Sequence, residues 1–100
     1  MEATIQELDN KFIASLDGEL DTASAVGVEQ ILKPLYTTNG KDVYIDCENL
    51  EYISSSGLRI LINILKGART CGSKVVLQHA NDDIMNVFML TGFTSLFNFE

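Results

Sequence analysis

The chain has no tryptophan, one proline, one histidine and two cysteines among its 100 residues. Cations are scarce too: 7 Lys and Arg stand against 14 Asp and Glu, a formal net charge of −7. That balance disfavours nucleic-acid binding, which relies on Lys and Arg to displace counterions from phosphates. A basic protein surface is the more natural partner. No stretch approaches the roughly 18 consecutive apolar residues of a membrane span, and Met1 to Asn10 is acidic without a signal-peptide apolar run. A soluble, cytoplasmic protein is expected, bound to neither nucleic acid nor membrane. Cys47 and Cys71 fall in no C-x-x-C or metal-ligand spacing, so both are read as reduced thiols, small hydrophobes rather than a staple. No cofactor or metal motif is present. With Pro34 the only proline and no linker, repeat or low-complexity tract, residues 1–100 are expected to form one domain.

What the chain does have is a globular composition, 46% hydrophobic and 21% charged, and an alternation of periods. Thr4 to Leu8 and Lys11 to Asp17 read as strands joined by the turn-forming pair Asp9-Asn10, an N-terminal hairpin. Gly18-Glu19-Leu20-Asp21 breaks that pattern. Asp21 is a good N-cap for a helix with Ala25, Val28, Leu32 and Leu35 on one face, stopped or kinked at Pro34. After Asn39-Gly40, Val43-Tyr44-Ile45 reads as a short central strand, apolar on both faces, ending at Asp46-Cys47. Glu48 to Ile53 reads as irregular. Ser54-Ser55-Ser56-Gly57 then opens a helix carrying Leu58, Leu61, Ile62 and Leu65, with Lys66 and Arg69 in its last turns and Gly72 as its stop. Lys74 to Gln78 is a strand, and Asn81 caps a third helix with Ile84, Val87 and Phe88 on one face, ended by Gly92. Met85 and Met89, one turn apart on it, are read as core. Leu96 to Phe99 is a short edge strand.

The order predicts an α/β fold: a mostly parallel sheet of four to five strands, an N-terminal β-hairpin and three helices, joined by right-handed crossovers. Open sheets of this kind place their sites beyond the strand ends. That edge is expected to gather Asp21, Ser54 to Ser56 and His79 to Asn81.

Three serines and a glycine at a helix start offer hydroxyls, unpaired N–H groups and the positive end of the helix dipole, an arrangement that tolerates an anion. N-capping by one serine explains the same residues more plainly. A hydrolytic reading would make Ser55 a nucleophile and His79 its base, oriented by Asp46 or Asp21. No G-x-S-x-G elbow supports it, and no phosphate loop of the G-x-x-x-x-G-K-[ST] type occurs. Asp82 and Asp83 complement a helix dipole. Arg59, Asn63 and Lys66 form a polar stripe beside the serines, as an ordinary solvated face also would.

Taken in order, Gly18-Glu19-Leu20-Asp21, Val43-Tyr44-Ile45-Asp46, Ile53-Ser54-Ser55-Ser56-Gly57-Leu58 and Leu90-Thr91-Gly92-Phe93 resemble the STAS domain, most of all bacterial anti-sigma factor antagonists. The resemblance covers nearly the whole chain. It implies a non-enzymatic regulator of transcription that binds a serine-kinase anti-sigma factor, frees a sigma factor, and is switched off by phosphorylation within Asp-Ser-Ser-Gly. By that motif Ser55 is the implied acceptor, Ser56 the second serine and Gly57 the glycine, while Ser54 replaces the aspartate and is a possible competitor. Asp21 matches an acidic residue kept beside the acceptor. Partner contacts are implied for Asp21, Ser54, Ser56, Gly57, Arg59 and Asn63, and a phosphatase would reset the switch. Family members usually continue into a last helix, where this sequence reaches Glu100. The same resemblance admits a scaffold in a signalling complex or beside a transporter, without a working switch, and Ser54 is the feature favouring it.

Overall fold

The computed structural model describes residues 1–100 and shows a five-stranded sheet in the order β1-β2-β3-β4-β5. β1 (Glu2–Glu7) and β2 (Lys11–Leu20) form the antiparallel hairpin. α1 (Thr22–Leu32) follows, then a 3-10 turn (Lys33–Tyr36), β3 (Asp42–Ile53), α2 (Ser55–Thr70), β4 (Val75–Gln78), α3 (Asp82–Thr91) and β5 (Asn98–Phe99). From β2 to β5 each strand lies parallel to the next. Successive right-handed crossovers in sequential order put every helix on one face of the sheet. Val43, Ile45 and Leu77 on that face join Leu61 and Ile64 of α2 and Ile84 and Phe88 of α3 in one apolar cluster. Phe88 holds β5 in place through edge-to-face contacts with Phe97 and Phe99 at 5.4 and 5.5 Å between ring centres.

No helix covers the other face of the sheet, although Val76 on it is buried and Ile13 and Tyr44 are half-buried. Ile13, Tyr44 and Val76 are register mates across it, and Lys11 Nζ lies 5.0 Å from the centre of the Tyr44 ring. Val43-Tyr44-Ile45 is therefore central but not enclosed on both faces: Tyr44 is half-buried under a lysine stem instead of under a helix.

Two further expectations fail for one shared reason. Gly18 to Leu20 continues β2, and Glu48 to Ile53 continues β3, paired with each other beyond the end of β4. The register shifts between Ser15/Asp17 and Gly18/Glu19, each shift placing an extra residue in β3. The buried positions there become Cys47, Leu50 and Ile53, a spacing of three. A strand with a bulge at each step loses the two-residue period by which strands are recognised.

Helix ends follow their residues. Pro34 enters the 3-10 turn that ends α1, Gly92 caps α3 in the left-handed region at φ 78, and Asn81 Oδ1 accepts the Ile84 amide at 2.9 Å. Met89, placed in the core by its sequence, is exposed, and Met85 is half-buried. Cys47 and Cys71 are free thiols; burial, with the nearby Asp46 charge, pushes Cys47 up to about 12. No helix is long and apolar enough to cross a membrane.

Gly67 sets the fit of α2 against the 3-10 turn, because a Cβ there would collide with the Tyr36 carbonyl. Gly67→Ala is expected to lower stability by about 1–3 kcal/mol, the range for overpacking. Gly27→Ala, on the exposed side of α1 with open space around it, should raise it by about 0.5–1 kcal/mol. Urea titration of the two variants checks both signs.

Candidate functional site

The bulged ends of β2 and β3 finish side by side, and the Ser54 amide donates to the Leu20 carbonyl at 2.8 Å. The next residue of each chain segment caps a helix, so the N-termini of α1 and α2 start from adjacent strands. Asp21 caps α1: its Oδ1 accepts the Ser24 amide at 2.8 Å, and its own amide donates to Ser24 Oγ at 3.1 Å, a reciprocal capping box. The bonds from Ser24 hold the Asp21 carboxyl below the usual carboxylate range.

Ser54 caps α2. It is buried, and its Oγ accepts the Gly57 amide at 3.2 Å. Gly57 is buried beneath it, where a Cβ would come within 2.5 Å of Leu20 Cγ and 3.1 Å of Ile53 Cγ1. Both residues are thus parts of the frame. Ser55, the first residue of α2, is exposed, and Ser56 is half-buried. The implied acceptor stands over the unpaired amides of a helix start with its hydroxyl not spent as the cap.

A shallow groove of about 180 Å³ runs from Ser56 between α1 and α2, lined by Thr22, Val26 and Glu29 on one side and Arg59 and Ile60 on the other. Arg59 is exposed. Asn63 is not in the groove; it is half-buried and interacts with the Tyr36 hydroxyl, which donates to Glu29 Oε2 at 2.9 Å. Burial, helped by Glu29, raises Tyr36 to about 12, so the bond persists at ordinary pH. The α1 wall went unread in the sequence. Its one signal is Val26, 70% exposed and out of phase with the Ala25–Val28–Leu32 face.

His79 does not join Ser55. Its Nδ1 lies 3.1 Å from Asp46 Oδ1, and Asp46 is opposite the last residue of β4 and opposite Ser15 of β2, whose six unbulged steps to Asp21 put it roughly 20 Å from Ser54 at a strand's rise per residue. The hydrolytic pair is therefore not assembled. Asn81 is also elsewhere than expected, its Nδ2 donating to Leu50 O at 3.3 Å and so satisfying the flank of β3 that β4 leaves free.

The STAS domain model matches residues 2–100. BtrV of Bordetella bronchiseptica, which carries the name of an anti-sigma factor antagonist, is 32% identical over 97% of this chain and 84% of its own length. The anti-sigma-B factor antagonist of Staphylococcus aureus is 28% identical over 96% of this chain and 87% of its own. Among solved structures, the anti-sigma factor antagonist SpoIIAA in its unphosphorylated form superposes with a TM-score of 0.80 at 14% identity, covering 99% of this chain and 88% of that one. The phosphorylated form of SpoIIAA, from Bacillus, superposes at 0.75, again at 14% identity, covering 99% and 91%. These two share the fold.

The two serines differ in what they hold up. Ser54→Ala should cost about 1 kcal/mol through the lost cap, and Ser55→Ala less than about 0.5 kcal/mol as an exposed change; chemical denaturation separates them. For Asp21 the folded value is the lower one, so its bond stabilises above the unfolded carboxyl value of about 3.9 and is lost as pH falls through the folded value. Asp21→Asn, which caps without titrating, is expected to flatten the acid limb of stability, read as urea midpoints from about pH 5 to pH 2.

Proposed function

The chain belongs to the STAS domain family of anti-sigma factor antagonists, and from that premise we propose that it binds a serine-kinase anti-sigma factor at the Asp21–Ser55 end and is released by phosphorylation of Ser55. The observation that carries this reading is the division of labour between adjacent serines. Ser54 is buried and used as the cap, whereas Ser55 is exposed. A kinase reaches the second hydroxyl without unwinding α2.

The same geometry bears on the aspartate that Ser54 replaces. Asp and Ser are equivalent N-caps, so the Ser54–Gly57 bond keeps the turn that presents Ser55, and only a negative charge is lost. In the transfer, Ser55 Oγ bonds to the γ-phosphorus of ATP as the bridging bond to ADP breaks, and the hydroxyl proton passes to the kinase. The product adds about −1.5 to −2 charges. Asp21, across the adjacent strand end, repels that charge. A partner packed over a neutral serine and the α1–α2 groove would then bury an unpaired dianion, which is strongly unfavourable. The domain itself stays folded, because the phosphate sits on an exposed helix start, and a phosphatase restores binding.

The scaffold reading rests on the charge missing at position 54, and one measurement divides the two. Incubated with ATP and its anti-sigma kinase, the wild type is expected to gain a single phosphate by intact mass, and Ser55→Ala none. Ser55→Asp is expected to lose partner binding by pull-down. A wild type left unmodified by a kinase active on another substrate, with Ser55→Asp still bound, establishes the scaffold instead.

A further inference from the structure

We propose that Asp46, Glu48 and His79 form a binding site for a divalent transition-metal ion at the far end of the β3 arm from Ser55. One ligand atom from each of the three lies within 4.8 Å of the others. Bonds of about 2.0–2.2 Å in tetrahedral geometry put ligand atoms some 3.3–3.6 Å apart. Asp46 Oδ1 and His79 Nδ1, hydrogen-bonded at 3.1 Å, would open by a few tenths of an ångström as the ion replaces that bond, and the exposed Glu48 side chain makes the larger approach.

The backbone brings these groups together from two neighbouring strands. Asp46 precedes the first bulge of β3 and Glu48 lies within it, and the Glu48 amide donates to Asp46 Oδ1 at 3.0 Å, folding the second carboxylate back over the first. β4 ends opposite Asp46. The next residue, His79, takes a left-handed backbone at φ 61, and its amide donates to the Glu100 carbonyl at 3.2 Å. Bulges re-aim side chains in this way.

The donor set defines the ion. One imidazole and two carboxylates suit a borderline cation such as Zn²⁺ rather than Mg²⁺ or Ca²⁺, which prefer oxygen ligands alone. Asp46 also lines a depression of about 160 Å³ on the sheet face without helices, with Glu2, Ser15 and Asp17 among its walls. A bound ion would tie the bulge of β3 to the end of β4 and, through the Glu100 carbonyl, to the short β5. This inference does not depend on the switch at Ser55.

The test uses ZnCl₂ alone with the whole chain at about pH 8, because the hydrogen bond to Asp46 holds His79 above the ordinary imidazole range and the ion must displace the ring proton. Calorimetry and NMR are run on the wild type, His79→Asn and Glu48→Gln; asparagine tolerates the left-handed backbone, so the first variant folds. One-site binding is expected, with the imidazole resonances of the single histidine shifting on titration. Affinity should fall at least about tenfold in both variants, and Zn²⁺ should raise the melting temperature of the wild type alone. Binding unchanged in His79→Asn would assign the ion to the acidic surface and overturn the site. Imidazole resonances that stay put, or no binding below millimolar Zn²⁺, would do so equally.

Discussion

The hydrogen bond from the Ser54 amide to the Leu20 carbonyl is the constraint on which the Asp21–Ser55 end of the fold depends. It is the last rung of the β2–β3 ladder, and the residue after each partner is a helix cap or a helix start. Were the rung displaced by one position, Asp21 and Ser55 would no longer lie at the same height, and each apolar position in the arm would turn to the opposite face. Gly57 is needed in the same place, since Leu20 and Ile53 close directly over it. One backbone bond and one missing side chain thus align the two helix starts at Asp21 and Ser54.

Legibility in the sequence tracked how regular the local pattern is. The helices were readable because Ala25–Val28–Leu32 and Leu58–Leu61–Leu65 repeat at helical spacing, and because Asp21, Asn81 and Gly92 are strong end signals. Parallel crossovers followed from element order alone. The second half of β3 was not readable, because its bulges replace an alternation by a spacing of three at Cys47, Leu50 and Ile53. The face without helices was hidden for a different reason: Tyr44 sits in an apolar run, and composition does not say whether a helix or a lysine stem covers it.

At the site, Ser55 was named by resemblance, and the hydroxyl chemistry at a helix start by physics. What sequence order could not distinguish was which of two neighbouring serines is structural. That depends on Ser54 lying outside the helix, with an extended backbone (φ −86, ψ 172) that aims its oxygen at the Gly57 amide. The separation of His79 from Ser55 was equally invisible, since both follow strands. Only the unequal lengths of β3 and β4, 12 residues and 4, place one at mid-sheet and the other at the tip.

That inequality leaves the last part of β3 paired with a strand along one edge only, its other edge met at Leu50 by the Asn81 side chain. Up to Asp46 the strand is held between β2 and β4; past it, β2 alone runs alongside, and each bulge adds right-handed twist. A rotation of about 5° at the first bulge sweeps the tip sideways by some 1–2 Å over its ~20 Å length. A change of twist at Asp46 is therefore carried to the start of α2 at Ser55 as a sideways shift.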